Sequence, residues 1–99
     1  KIKKLKFQEI PDYVTKHSFM LFFGLAENHN ERDQFITHLN KHGIDARKTW
    51  TPIHMQPCNS ELNKINCKNA EQIFDKALTL PIYNNMKIED ANTIINLFN

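Results

Sequence analysis

A two-layer α/β domain of the α+β kind, with a small mixed or antiparallel sheet and helices packed on one face, is the fold that three features of the sequence predict. The first is a nearly unbroken apolar run, SFMLFFGL at 18–25, rich in Phe. The second is a set of three segments with helical spacing of apolar residues, near 28–43, 69–77 and 85–98. The third is punctuation: Gly43, Pro52, Pro57 and Pro81 cut the chain into short elements joined by brief links. With 99 residues and a mass of 11.7 kDa the chain holds one core and one domain.

Residues 1–8 interleave Lys1, Lys3, Lys4 and Lys6 with Ile2, Leu5 and Phe7 and stop before Pro11. That pattern is weakly helical or extended, so residues 1–16 read as a lead-in or linker segment and 17–99 as the domain proper. A basic run of this kind is a solvated face rather than a nucleic-acid or membrane contact. Ser18 to Leu25 is then the core strand, covered on both faces or central in the sheet. The run Asn28-His29-Asn30, followed by Glu31-Arg32-Asp33, supplies a side-chain cap and first-turn acids for a helix with Phe35, Ile36 and Leu39 on its apolar face. Gly43 ends that helix behind Lys41 and His42.

Ile44 to Trp50 alternates and predicts a strand with one mixed face. Pro52 and Pro57 then hold Thr51 to Cys58 extended and without regular structure. After a polar stretch, Asn69 caps a short helix whose Ala70, Ile73, Phe74 and Ala77 fall at i, i+3, i+4 and i+7. Leu78 to Leu80 is a short strand stopped by Pro81. Ile88, Ala91, Ile94, Ile95 and Phe98 form one face of a last helix that packs on the sheet, with Glu89 and Asp90 in its first turn.

Composition excludes several functions. Apolar residues make up 40% and charged residues 24%, as in an ordinary folded domain. A net charge of +2 is too small to argue for nucleic acid. Two glycines cannot build a phosphate-cradling loop. No apolar run approaches the roughly 20 residues of a membrane helix, and the Lys-rich start, without a long apolar stretch, is not expected to be a signal peptide. Cys58 and Cys67 match neither CxxC nor a zinc ribbon and read as a reduced, cytoplasmic pair. Opening on Lys1 without a Met, the sequence is expected to be a piece of something longer.

Chemistry-bearing residues concentrate in Arg47-Lys48-Thr49-Trp50-Thr51-Pro52-Ile53-His54-Met55-Gln56-Pro57. Such a mixture suits a polar ligand with rings and negative charge: Arg47 for phosphate or carboxylate, Trp50 for stacking, His54 and Gln56 for directed hydrogen bonds. The plainer alternative makes Trp50 and Met55 core, Arg47 a surface charge and His54 a cap on backbone groups, and residue types leave both open. His38 and His42 stand at i, i+4, but no Glu lies between them and no third ligand is implied, so they read as exposed helix histidines rather than a metal site. His54, Cys58 and Cys67 can be assembled into a zinc site or a Cys–His nucleophile only on paper, since nothing announces a lowered thiol pKa or an oxyanion hole.

In order, HSFMLFF, ERDQFITHLNKHGIDARKTWTPIHMQP and NAEQIFDKALTLPIYNNMKIEDANTII resemble the C-terminal small domain of the DegT-type (DegT/DnrJ/StrS) aminotransferases, from about His17 to Phe98. The telling parts are Arg32-Asp33, Gly43-Ile44, Arg47 with Trp50 and PIHMQP, and Leu80-Pro81 with Tyr83. The resemblance implies the small domain of a fold-type I enzyme that uses pyridoxal phosphate to aminate nucleotide-linked 4-keto sugars in amino-sugar and cell-surface polysaccharide synthesis, closest in pattern to those making perosamine. It implies that the cofactor lysine and the acid facing the pyridinium nitrogen lie in a large domain on the N-terminal side, so no residue here receives either role and the chain alone is expected to be inactive. Arg47, Trp50, His54 and Gln56 would contribute substrate contacts on one wall of the cleft. The implied partners are the large domain, a nucleotide sugar and a second subunit in a homodimer, with no nucleic acid and no membrane.

Two positions depart from the pattern. Cys58 stands where an aromatic residue is common, and Lys87 where a Ser or Thr caps the last helix, leaving Asn85 as the expected cap. The rival expectation is a free-standing α/β binding or interaction module. A domain that packs against a larger one should also leave an apolar patch exposed when it stands alone.

Overall fold

The computed structural model describes residues 2–99; Lys1, the first of the interleaved lysines, lies outside them. Four strands form one antiparallel sheet in the order β1-β2-β4-β3, with β1 at Lys6–Phe7, β2 at Phe22–Leu25, β3 at Arg47–Lys48 and β4 at Ala77–Leu80. The helices are α1 (His29–Lys41), α2 (Lys68–Lys76) and α3 (Ile88–Asn96). The α/β class, the small sheet and the central place of the apolar strand follow the sequence.

Alternation along β2 and β4 puts Phe22, Gly24, Leu78 and Leu80 on one face. Lys48 lies opposite Leu78, and its Nζ reaches Asp33 of α1 at 3.4 Å, so α1 covers that face. Leu39 of α1, Ile94 of α3 and Phe98 just beyond it join Leu78 and Leu80 in the core, where the rings of Phe35 and Phe98 meet at 5.0 Å.

The segment read as a lead-in is part of this body. Lys6 pairs with Leu25 and Phe7 with Gly24, while Ile2 and Leu5 are buried in the core. The lysines masked the signal, because only every second or third residue is apolar. Gly24 explains the close fit: a Cβ there would stand 3.1 Å from both the Leu5 side chain and the Phe7 ring.

The core strand is shorter than its apolar run. Phe19 takes φ +32°, its N–H donates to His17 Nδ1 at 3.0 Å, and the two rings lie 4.0 Å apart. This turn postpones regular pairing to Phe22. By contrast, α1 follows its sequence signals closely. Asn28 Oδ1 accepts from Glu31 N–H, and Glu31 reaches back to the N–H of Glu27. At the other end Gly43, at φ +76°, donates to Asn40 O while Ile44 donates to Leu39 O, a Schellman closure that needs the missing Cβ.

Between β3 and α2 the expectation of an extended, irregular link is corrected. Ile53–Met55 and Pro57–Lys64 form 3-10 turns. Proline fixes a helical φ and lacks an N–H, which suits the opening of a helical turn as well as an extended link. Asn69 is not a cap either: α2 begins at Lys68 behind Cys67 with no side-chain cap, and Ala77 is already strand. At α3, Lys87 precedes the first turn without capping it, and Asn85 sits at φ +63° in the preceding turn rather than at the cap. Tyr83 instead donates its hydroxyl to Asp90 in that first turn, at 3.0 Å.

Candidate functional site

How α2 is held decides where the candidate residues stand. Its last turn leaves carbonyls without intrahelical partners. Arg32, only 5% exposed, donates through Nη1 to Phe74 O at 3.1 Å and to Asp75 O, while Ala26 N–H donates to Lys76 O at 3.0 Å. Arg32 Nε also meets Asp33 at 2.9 Å, and this guanidinium, with Lys48 behind it, holds the Asp33 carboxyl below the usual carboxylate range. The Arg-Asp pair that opens α1 is thus a clamp on the end of α2.

The four residues singled out in the sequence lie on the chain that leaves β3 and returns to α2. Arg47 is exposed, its backbone carbonyl accepting from Thr79 Oγ1 at 3.2 Å. Its guanidinium makes a two-point fork onto Asp45, Nε to Oδ1 at 2.8 Å and Nη2 to Oδ2 at 2.9 Å. Each partner favours the other's charged form, lowering the Asp45 pKa and raising that of Arg47. Trp50 is 68% exposed, so it is not core; Met55 is exposed as well. His54 is the opposite, 8% exposed, with Nε2 2.9 Å from Glu71 Oε1 on α2. Gln56 is half-buried and donates its amide to Thr51 O at 3.1 Å, closing the first 3-10 turn on itself.

The structure therefore divides the four. Arg47 and Trp50 present charge and ring to solvent, while the described hydrogen bonds of His54 and Gln56 go to other groups of the chain. Glu71 is the partner of His54 that the sequence did not single out. It lies 17 positions from His54, and no motif links the two.

The remaining chemical candidates resolve simply. His38 and His42 are exposed, their rings 4.5 Å apart, with His42 Nδ1 donating to His38 O at 2.8 Å. Cys58 and Cys67 are free thiols, and the contact described for Cys58 is with Gln56, at 3.9 Å. Among the described residues no group of three or more His, Cys, Asp or Glu side chains could hold a metal, and no helix is long and apolar enough to cross a membrane. An apolar cavity of about 370 Å³ lies elsewhere, where Phe19, Phe22, Ile82, Met86 and Ile95 meet. Every described lysine is exposed or half-buried, and the two glycines serve the β1 packing and the end of α1.

Comparison with known proteins adds the following. The model of the DegT/DnrJ/EryC1/StrS aminotransferase family matches residues 1–99. An uncharacterized protein of Methanocaldococcus jannaschii is 26% identical over 83 residues, 81% of this chain and 22% of that protein. A protein of Streptococcus pneumoniae assigned as a sugar aminotransferase, solved in apo, PMP and PLP forms, is similar at 22% identity and a TM-score of 0.79, over 96% of this chain and 25% of its own. The sugar aminotransferase CalS13 of Micromonospora echinospora is similar at 14% identity and a TM-score of 0.82, over 97% and 25%. The chain thus spans about a quarter of the length of these relatives.

Proposed function

Because the chain belongs to the DegT/DnrJ/EryC1/StrS aminotransferase family, we propose that it forms one wall of the substrate cleft in a cytoplasmic, homodimeric, pyridoxal-phosphate-dependent enzyme that aminates nucleotide-linked 4-keto sugars. Pyridoxal phosphate, when bound in the rest of such an enzyme, supplies the electron sink for amino transfer. This chain's residues bind and orient the substrate.

The observation that carries the reading is the exposure of Trp50, three residues beyond Arg47 at the end of β3. An indole left 68% exposed keeps a flat apolar face for a base or sugar ring. Arg47 offers a guanidinium fork already aligned on a carboxylate; a diphosphate presents the same paired oxygens and replaces Asp45 there. Exposed Ile53 and Met55 continue this surface, as expected of a wall covered by the rest of the polypeptide.

The test is amination by the complete protein, given pyridoxal phosphate, an amino-acid donor and UDP-, GDP- or TDP-linked 4-keto-6-deoxy sugars, with the amine detected by mass spectrometry. One of these sugars is expected to be aminated, and Trp50→Ala is expected to raise its KM about tenfold, the loss of one stacking contact. Failure of all three nucleotide sugars sinks the substrate class, and an unchanged KM in Trp50→Ala removes the indole from the site.

A further inference from the structure

We infer that Glu71 is a positioning residue of the substrate wall: its carboxylate anchors the buried His54 ring to α2 and thereby sets the path of residues 50–56. The inference rests on reading 47–56 as the substrate-facing segment.

Burial in the first 3-10 turn is inverted. Ile53 and Met55 on either side of His54 are exposed, and the imidazole between them is buried. A turn held by the hydrophobic effect would put the isoleucine inside. Here the inward group is polar, and its Nε2 lies 2.9 Å from Glu71 Oε1. A carboxylate only accepts, so Nε2 carries the proton and the tautomer is set by the contact.

The other side-chain hydrogen bonds described for 51–64 close within that segment: Gln56 to Thr51 O, Asn59 to Ile53 O and Cys58 to Gln56. They shape the turns without fixing them to the domain. The His54–Glu71 bond does fix them, because α2 is itself clamped to α1 by Arg32. Glu71 also lies in the first turn of α2, where the helix dipole favours a carboxylate. The path is continuous: Arg32 holds α2, Glu71 on α2 holds His54, and His54 holds the turn that follows Trp50 and carries the exposed Ile53 and Met55.

The test compares Glu71→Ala, Glu71→Gln and His54→Phe in the complete protein. Glu71→Ala is expected to raise the KM for the nucleotide sugar about tenfold, with kcat within about twofold, and to speed hydrogen exchange of amides 53–64. His54→Phe, which keeps the ring volume without the N–H, is expected to behave alike. Glu71→Gln keeps an oxygen acceptor and is expected to stay within about threefold of the parent in both readouts. Unchanged KM and exchange in Glu71→Ala, or an equal loss in Glu71→Gln, would overturn the inference. If the parent protein aminates no nucleotide sugar, the proposed function fails on its own. The exchange readout then decides for Glu71: faster exchange in Glu71→Ala with recovery in Glu71→Gln supports it, and no difference overturns it.

Discussion

Two of the connections between strands carry an α-helix, and they are held in different ways. The one from β2 to β3 runs through α1: Ala26, Leu39 and Ala46 are buried, and both helix ends are closed by the motifs their sequence announces. The one from β3 to β4 runs through the 3-10 turns and α2, and there no residue of α2 is buried, Ile65 and Ile73 are exposed, and the buried residue among those described is His54. The first is fixed by apolar burial spread along its length. The second is fixed at a few polar points, which leaves its outer face free to meet a ligand or the rest of the polypeptide. Segments with few buried apolar contacts open locally at low cost, and binding loops are drawn from them.

The comparison breaks most visibly if paired truncations cost the same. Leu39→Ala, in a fully buried site, is expected to lose about 3 kcal/mol of unfolding free energy, and Ile73→Ala less than about 1 kcal/mol. Denaturant unfolding of the two variants checks this. Similar losses would mean that the second connection is packed as the first is.

A smaller effect sharpens the role of the polar points. Arg32→Met removes the donors from Phe74 O and Asp75 O and is expected to cost about 2 kcal/mol, with hydrogen exchange rising in α2 and not in α1. The variant also releases Asp33. Because the folded-state pKa of Asp33 is depressed, its contribution to stability is present above the ordinary carboxylate range and is lost as pH falls through the lowered value. In Arg32→Met the Asp33 titration, followed by NMR, is expected to move up toward the ordinary range, so that less stability is lost through this group as pH falls. An unmoved titration would assign the depression to Lys48 alone.

What was legible in the sequence follows the same division. The α1 connection was readable because its determinants are local: Asn28 with Glu31 at one end, Gly43 with Ile44 at the other, and an apolar stripe between. β4 before Pro81 and the apolar face of α3 were readable for the same reason. The turns at 53–64 were not, because proline serves an extended link and a helical turn equally. β1 was missed because its worth depends on Gly24, 17 positions away from Phe7 in the chain. At the site, exposure separated Arg47 and Trp50 from His54 and Gln56, and residue type alone does not report exposure. Glu71 depends on a contact across 17 residues that no spacing rule predicts.

The polar-anchored connection, and not the α1 side, is proposed to face the substrate. Hydrogen exchange of the complete protein with and without the proposed nucleotide-linked 4-keto sugar measures this directly. Protection is expected to be gained at residues 47–57, with α1 unchanged. Protection gained along α1, or none at 47–57 under saturating sugar, would contradict the proposal.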